Sequence, residues 1–313
     1  MTGDQPTWGV VSTVRASARD ILRFAAHHLE LGATRLYLHL DERNSTAQRP
    51  LKDHPQVKLS VCNDAFWQRR NLQRPDTHQR RQSVNATHIY RHTDLDWLTH
   101  IDVDEFLWPT ASISALLQAV PENVPAIRIR PIEALAAGDD LYKAYIPKGP
   151  KRYSLVEKIY PNYGPFLQGG FLSHTQGKLF VRTGMPNISD RIHNVFQNNQ
   201  LLPCKTELPQ IELCHRHAPD WEHWIAHYRF RMAKGSYKPD MAPNVPRERG
   251  GLNKNELFSW IEEELGTEGL RAFFDEISAV HPAVMQRLKD HDMIRHRPLN
   301  LDRKVAKHFP GSL

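Results

Sequence analysis

The segment from Asp96 to Trp108 constrains this chain most, because a short apolar run leads directly into three carboxylates. The run Trp97 to Ile101 fits a buried strand, and Asp102, Asp104 and Glu105 follow within four residues. Clustered carboxylates repel one another and are costly to remove from water, so a fold that places them beside a buried strand needs compensation. A divalent cation is the usual form of that compensation.

The spacing of the acids suggests which cation this is. In an extended chain, Asp102 and Asp104 point to the same side, while Val103 points to the other. Two hard oxygen ligands on one side, with positions left for water and phosphate oxygens, suit Mg²⁺ or Mn²⁺. The competing interpretation is a solvated acidic turn. The apolar residues on both sides, including Phe106-Leu107-Trp108, favour the metal.

Composition narrows the class of protein. The length of 313 residues allows one large domain or two modest ones, and the net charge of +6 favours polyanionic partners such as a nucleotide diphosphate. The basic residues follow no RNP-like or zinc-finger pattern, so we expect no nucleic-acid partner. Three widely spaced cysteines argue against a disulfide framework. Neither a leader-like start nor a run of about 18 apolar residues is evident, so we expect a soluble, cytoplasmic protein.

The first hundred residues alternate strand and helix patterns, which predicts an α/β fold with a mainly parallel, Rossmann-like sheet flanked by helices. Ser17 and Asp20 resemble a capping box, and Gly32 stands where a helix-ending glycine belongs. The predicted elements are a strand at Trp8–Val14, a helix at Arg15–Leu31, strands at Thr34–Leu40 and Val57–Cys62, a helix at Thr77–His92 and a strand at Trp97–Ile101.

Polar side chains follow these strands where each ends, and ligands of open α/β sheets gather at that edge. Neither a GxGxxG nor a GxxxxGK[ST] motif follows the first strand, so phosphates would need a metal or basic side chains. The residues at the predicted strand ends are Thr13, Arg15, Asp41, Glu42, Asn63, Asp64, Asp102 and Asp104.

The second half of the chain is less regular. A region rich in Gly, Pro, Tyr and Lys, including residues 148–153, predicts a long loop up to Gly177, and its aromatic residues favour a substrate-facing role. The tail 281–313 is basic and expected to be partly disordered, a solvated end being favoured over a peripheral membrane contact. Around these we predict a helix at Ile113–Val120, strands at Ala126–Ile132, Lys178–Arg182 and Ile211–His217, and helices at Trp221–Lys234, Leu257–Leu265 and Leu270–Val280.

Several of these segments resemble family-2-like glycosyltransferases of the D-x-D-E-F group, which is related to glycosyltransferase family 92. The resemblance covers roughly residues 8 to 240 and is most specific in the acidic segment. Where relatives have His-Tyr followed by a basic residue and Ser, this chain has His215-Arg216 and then Pro219-Asp220, which leaves the choice between His215 and His217 open. The matching segments are Val11–Arg15, His27–Ala33, Leu36–Leu38, Ile101–Leu107 and Gly177–Arg182, followed by His193 and His215.

The resemblance implies a GT-A fold over residues 1–250, with a nucleotide-sugar-binding half (1–110) and an acceptor half (111–250), followed by a C-terminal extension (251–313). It implies inverting transfer of a sugar from a nucleotide donor, with a UDP-sugar favoured, to a glycan or lipid-linked acceptor, using Mn²⁺ or Mg²⁺. The implied roles are Thr13 and Arg15 at the base or ribose, Asp41 and Glu42 at the nucleoside, Asp102 and Asp104 at the metal and ribose, and His215 as third ligand with His217 in reserve.

The chemistry of transfer requires further groups. Lys178 or Arg182 could supply a cation at the leaving diphosphate, although both also fit a solvent-facing strand. Gln82, with Arg81 and Asn85, could reach the nucleotide, although a polar helix face explains them equally well. An inverting displacement needs a base for the acceptor hydroxyl, for which the candidates are Asp190, His193 and Glu105, with Asp190 preferred.

Two other functions remain open at this point. A strand ending in Asp102-Val103-Asp104 also fits a haloacid-dehalogenase-type phosphohydrolase, although such motifs stand near the N-terminus and Phe106 occupies a position usually held by Thr or Val. A non-catalytic module that binds a nucleotide or glycan is the second alternative.

Overall fold

The structure is a computed structural model that describes residues 5–138, 140–235 and 237–312. The strands, numbered in chain order, are β1 (Trp8–Val14), β2 (Arg35–Leu40), β3 (Val57–Val61), β4 (Trp97–His100), β5 (Glu105–Pro109), β6 (Ala126–Ala134), β7 (Leu141–Lys143), β8 (Lys178–Arg182), β9 (Ile188–Arg191), β10 (Asn194–Gln197), β11 (Gln200–Leu201), β12 (Glu207–His215) and β13 (Ile294–His296). The α-helices are α1 (Ala18–Glu30), α2 (Ser45–Lys52), α3 (Asp64–Gln68), α4 (His78–His92), α5 (Ile113–Gln118), α6 (Arg152–Ile159), α7 (Trp221–Lys234), α8 (Lys254–Ile277), α9 (Pro282–Asp290) and α10 (Leu301–His308).

The chain forms two compact units that are each built from separated segments. The first unit contains residues 5–130, 176–213 and 299–312, and the second contains 131–138, 140–175, 214–235 and 237–298. The predicted boundaries at residues 110 and 250 stay a prediction, while the end of the chain returns to the first unit. There α10 packs on α1, and Asp302 accepts hydrogen bonds from Arg19 (2.8 Å) and Arg23 (2.6 Å).

The sheet of the first unit has the strand order β6-β8-β4-β1-β2-β3. Strands β4, β1, β2 and β3 are parallel, while β8 runs antiparallel to both β4 and β6. The expected α/β class, with a mainly parallel central sheet, flanking helices and further helices towards the C-terminus, is confirmed.

Strand β1 is buried along its whole length because helices cover both faces of the sheet. On one face α4 packs Ala86 and Tyr90 against Val11 and Leu98. On the other face lies α1, which begins at Ser17, whose hydroxyl accepts the Asp20 N–H (3.2 Å). The predicted capping box is only half formed, because the Asp20 carboxylate accepts from the Ser17 hydroxyl (2.6 Å) rather than from a backbone N–H.

Two buried histidines tie α1 to the strand that follows the acidic segment. His27 donates from Nε2 to the Leu107 carbonyl (2.8 Å) and accepts at Nδ1 from Lys304 (3.0 Å), while His28 donates from Nδ1 to the Phe24 carbonyl (2.8 Å). Burial lowers the pKa of His28 to about 3 and holds the pKa of His27 well below its usual value. Both rings are therefore neutral, and their contacts position β5.

The sequence interpretation assumed that the acidic segment is extended, but the structure shows that it is not. Residues 103 and 104 form a turn, and a new strand, β5, starts at Glu105 and pairs with β12. The physical reason is a reciprocal closure: the Asp102 N–H donates to the Glu105 carboxylate (2.8 Å), and the Glu105 N–H donates to the Asp102 carbonyl (3.0 Å). The acids therefore lie on a tight strand-to-strand turn.

The second unit has an aromatic core and a short antiparallel sheet. The end of β6 pairs with β7, and β7 pairs with β13. The core is built around Trp224, Phe258 and Phe273, and α8 bends at Gly266 (φ +62°), where two separate helices were predicted. The region predicted to be irregular contains α6, and the tail predicted to be partly disordered forms α9, β13 and α10.

A buried ion pair fixes the loop that follows α6 in the second unit. Lys143 lies 2.9 Å from Glu133 and donates to the Gly170 carbonyl (2.7 Å). The Glu133 carboxylate also accepts the backbone N–H groups of Leu172 (2.9 Å) and Ser173 (2.6 Å). Both charges are paired and hydrogen-bonded, so the ion pair holds this loop against the sheet. None of the described helices combines the length and the apolar composition required to cross a membrane.

Candidate functional site

The carboxyl ends of β1, β2 and β4 meet at one edge of the first unit's sheet. The strand register pairs Thr13 with His39 and Val11 with His100. Asp102, Thr13 and Asp41 therefore lie side by side along this edge, at or just beyond the ends of β4, β1 and β2. This is where ligands of open α/β sheets bind.

A buried lysine compensates the negative charge of the acidic turn. Lys178, at the start of β8, is fully buried, and its Nζ lies 2.7 Å from Asp102 Oδ2 and 3.3 Å from Glu105 Oε2. Burial alone would lower the pKa of Lys178, but the charges of Asp102 and Glu105 outweigh it and raise the pKa above its usual value. Lys178 is thus a permanent cation between two carboxylates, not the solvent-facing strand residue that the sequence allowed.

Asp102 is the more constrained member of the predicted metal pair. Its Oδ2 accepts from Lys178, and its Oδ1 accepts from the Gln82 side chain of α4. Burial raises the pKa of Asp102, but the positive charge of Lys178 and its hydrogen bond outweigh this and hold the pKa well below its usual range. The carboxylate is ionised, and each oxygen already has one N–H donor.

The donor set still fits a divalent cation. A carboxylate oxygen can accept more than one partner, so Asp102 retains coordination capacity beyond Lys178 and Gln82. Asp104 lies two residues on in the same turn and is partly exposed. Two hard oxygen ligands at the ligand edge of the sheet suit Mn²⁺ or Mg²⁺. The metal itself stays a prediction.

Asp190, the preferred base, is held by a histidine that the sequence analysis missed. Its Oδ1 lies 2.8 Å from His100 Nδ1, and both side chains are buried. The Asp190 N–H donates to Thr87 Oγ1 of α4 (2.9 Å), which fixes β9 against that helix. The other ring nitrogen of His100, Nε2, is buried without a hydrogen-bond partner among the described residues. The only sequence signal for His100 was its place two residues before Asp102.

Three basic side chains, Arg74, His78 and Arg81, surround Asp41 and are called the Asp41 cage below. Arg81 donates to both carboxylate oxygens (2.7 Å each), His78 lies 2.9 Å away, and Arg74 donates at 3.1 Å. Burial would raise the pKa of Asp41, but the hydrogen bonds from His78 and Arg81 lower it well below its usual range. These contacts fix the first turn of α4 to the end of β2. The predicted contact of Asp41 with a nucleoside stays a prediction.

Thr13 belongs to a polar network at the end of β1. Its hydroxyl accepts from the Asn85 side chain (3.0 Å), and Asn85 accepts from Arg70 (2.8 Å). The Arg70 guanidinium lies 4.1 Å from the centre of the Phe66 ring. This network was not expected, because Arg70 and Asn85 come from elements separate from β1.

The remaining candidates of the first unit differ in their surroundings. Arg15 and Glu42 form an exposed ion pair of 3.0 Å. His193 is partly buried, and its Nδ1 lies 3.1 Å from the Gly177 carbonyl. Arg182 is not at the acidic turn: its guanidinium donates to the carbonyls of Val120 (2.9 Å) and Val124 (3.1 Å), so the structure offers it no part beside Asp102.

In the second unit, His215 is the last residue of β12 and is buried. The centre of its ring lies 5.1 Å from that of His174 and 5.3 Å from that of His217. Burial, with the charge of Arg231, holds the pKa of His217 well below its usual value, which leaves it in the neutral form that binds metals. Whether His215 or His217 is a ligand stays open, and His174 had no sequence signal.

Comparisons with known proteins add little to this description. No family model matches the sequence, and no curated protein matches it. Among solved structures, the chain is similar to CMP:2-keto-3-deoxy-manno-octonic acid synthetase complexed with CTP (12% identity, TM-score 0.28), covering 44% of this chain and 62% of that chain. It is also similar to a mycobacterial protein (11% identity, TM-score 0.36), covering 68% of each chain. The chain thus spans less than two thirds of the synthetase.

Proposed function

We propose that this protein is a metal-dependent glycosyltransferase that moves a sugar from a nucleotide-diphosphate donor to a hydroxyl of a glycan or lipid-linked acceptor. The observation that carries the proposal is the acidic turn, with Asp102 and Asp104 at the carboxyl edge of a parallel sheet and Lys178 buried beneath it. The likeness of Ile101–Leu107 to the D-x-D-E-F segment supports the same reaction.

The residues of the turn have different roles in binding the donor. A divalent cation bound there would neutralise the diphosphate oxygens as negative charge develops on the leaving group. Asp104 supplies an oxygen ligand, and Asp102 adds a second while Lys178 and Gln82 fix its orientation. Lys178 also lies within ion-pair distance of both Asp102 and Glu105, and its charge offsets the repulsion that would otherwise open the turn.

The choice of donor and acceptor rests on the resemblance alone. A UDP-sugar is the proposed donor, and Thr13 and Arg15 are the proposed contacts of its base or ribose. His215 is kept as the proposed third ligand and His217 as its alternative.

The proposed base is Asp190, with His193 as the alternative. Because Asp190 already accepts from His100, Asp190→Asn would change both a charge and a hydrogen bond. If Asp190 is the base, the variant binds donor normally and loses transfer by the 10²–10⁴-fold typical of general-base removal. Near-normal turnover would remove it from the chemistry, and loss of donor binding would assign it to the support of His100.

The experiment that tests the proposal is a calorimetric titration of UDP, GDP and CMP, each with Mn²⁺ and with EDTA. Tight binding of one nucleotide in the presence of Mn²⁺ alone would support the transferase and identify the donor class. Asp104→Asn is the variant to compare, because the exchange keeps the size of the side chain and removes its charge. No nucleotide binding with or without metal would refute the proposal.

The phosphohydrolase alternative is tested by the release of phosphate from a generic phosphoester. It would require Asp102 to act as a nucleophile, although both its oxygens accept N–H donors. Donor hydrolysis in the absence of acceptor separates the transferase from a binding module that performs no chemistry.

A further inference from the structure

One surface of the second unit carries basic side chains without acidic partners. It consists of residues 147–158, the loop before α6 together with the exposed face of that helix, and is called the α6 basic surface below. Lys148, Lys151 and Lys158 are all exposed on it, and none of the three forms an ion pair within the described residues. Glu157 is the single acidic residue of the segment.

Several other exposed cations of the same unit are paired with acidic side chains, unlike the three lysines of this surface. Arg229 pairs with Glu262, and Arg247 pairs with Glu256 (2.8 Å). Arg271 pairs with Asp275 four residues on (3.0 Å). Three unpaired lysines within eleven positions therefore form a local excess of positive charge.

The local fold brings these charges together. The Arg152 N–H donates to the Gly149 carbonyl (3.1 Å), which folds the loop back against the first turn of α6. Lys151 and Lys158 are seven residues apart, about 10 Å along a helix and on the same face, with Ser154 between them. The loop 147–151 is exposed throughout.

An exposed aromatic ring lies among the lysines. Tyr153 is 51% exposed, while Val156 and Ile159 on the opposite face of α6 are buried in the core. The folding of α6 therefore needs its inner face and not Tyr153. Beneath the surface, the Arg152 guanidinium lies 5.8 Å from the Tyr145 ring centre, and its Nη2 is buried without a hydrogen-bond partner among the described residues.

We propose that the α6 basic surface binds a glycan chain that carries carboxylate groups. The lysines contact the carboxylates, and the Tyr153 ring packs against a sugar ring while its hydroxyl stays in water. A neutral glycan would leave the three charges unused. A membrane contact would need apolar side chains that enter the lipid interface, and among residues 147–158 the large exposed ring is that of Tyr153.

As an assignment of the acceptor, this inference depends on the proposed transferase function, but the binding itself does not. The test therefore uses no donor and no metal. The full-length protein is titrated with an oligogalacturonate and with a neutral malto-oligosaccharide of the same length, at low and at high salt. We expect binding of the oligogalacturonate alone, and weaker binding at high salt because exposed charge pairs are screened.

A triple variant, Lys148→Gln, Lys151→Gln and Lys158→Gln, should weaken that binding roughly tenfold, as three exposed charge contacts are lost. Tyr153→Ser should weaken it independently. The matched control exchanges Lys234, Lys238 and Lys289 for Gln, which removes the same charge from elsewhere in the same unit and should leave binding unchanged. Lys238 is half-buried and pairs with Asp240 (2.8 Å), while the other exchanged side chains are exposed, so thermal melts of each variant check that folding is unchanged.

Three results would overturn the inference. Equal affinity for the malto-oligosaccharide would remove the role of charge. An equal loss in the control variant would show a general effect of net charge rather than a site. Binding to phosphatidylglycerol vesicles without binding to the oligogalacturonate would assign the surface to a membrane instead.

Discussion

Lys178→Met tests how the acidic turn is held together. The exchange keeps the length of the side chain but leaves Asp102 and Glu105 as neighbouring carboxylates without their buried cation. Removing one partner of a buried ion pair costs about 3–5 kcal/mol, because the remaining charge is left uncompensated. For a unit of this size we expect a fall in the melting temperature of about 10 °C at pH 7.

The pH dependence gives the sharper result. In the wild type, the pKa of Asp102 is depressed, so its stabilising contribution is present at neutral pH and is lost as the pH falls through the acid range. In Lys178→Met, burial without a cation should raise the pKa of both carboxyl groups, so that protonation relieves their repulsion. The difference in stability between variant and wild type should therefore shrink from pH 7 to pH 5, as measured by thermal melts across that range.

Manganese provides the second measurement on the same variant. If Asp102 and Asp104 bind a divalent cation, Mn²⁺ should recover part of the stability lost in Lys178→Met, because it replaces the missing positive charge. The matched control is Lys143→Met, which removes a fully buried lysine from Glu133 in the second unit and should show no such recovery. A deficit that stays constant between pH 7 and pH 5 would refute the electrostatic account, and equal recovery of both variants would refute the metal site.

The remaining predictions concern the metal, the cage and the buried rings. Asp104→Asn should abolish the Mn²⁺ dependence of nucleotide binding in calorimetry, and unchanged dependence would exclude Asp104 as a ligand. Asp41→Asn should lower the free energy of unfolding by about 3–5 kcal/mol, because Arg81 loses its buried partner; a loss below about 1 kcal/mol in denaturant titration would contradict the cage. Burial lowers the pKa of His28 and of His39 to about 3. The free energy of unfolding should therefore fall as the pH drops below about 6.5, by up to about 5 kcal/mol for each ring. Acid titration of single His→Gln variants checks this, because each variant should lose stability less steeply than the wild type.

The sequence predicted the fold best where local pattern and packing agree. Strand β1 and helix α1 lie close to their predicted bounds, since a run of β-prone residues and a terminal glycine at Gly32 (φ +86°) are local signals. Helix α6 was missed because the Pro and Gly residues around it read as a continuous loop. The tail was expected to be partly disordered, yet Leu301 and Val305 are buried within α10, a contact that only the folded chain provides.

The candidate site was predicted in part for a similar reason. The acids were visible because three carboxylates after an apolar strand are a local anomaly. The partner of Asp102 was not, because Lys178 lies 76 residues away and a lysine at the first position of a strand also fits a solvent-facing end. The cage of Asp41 depends on Arg81, 40 residues later, and no spacing rule predicts such a contact.

Helix α4 shows how these separate contacts form one arrangement. Arg81, Gln82 and Asn85 are buried on its inner face and bond to Asp41, Asp102 and Thr13, the residues at or beyond the carboxyl ends of β2, β4 and β1. One turn later the same face becomes apolar and packs into the core. A buried polar helix face costs desolvation that an apolar one would avoid; the Arg81 contact with Asp41 fixes the first turn of α4, but folding alone gives no such reason for Gln82 at the sheet edge where ligands bind. If that face exists to orient Asp102 and the end of β1 for a ligand, Gln82→Leu should impair metal-dependent nucleotide binding while leaving the melting temperature unchanged or higher. A lower melting temperature with unchanged binding would instead make it a structural network.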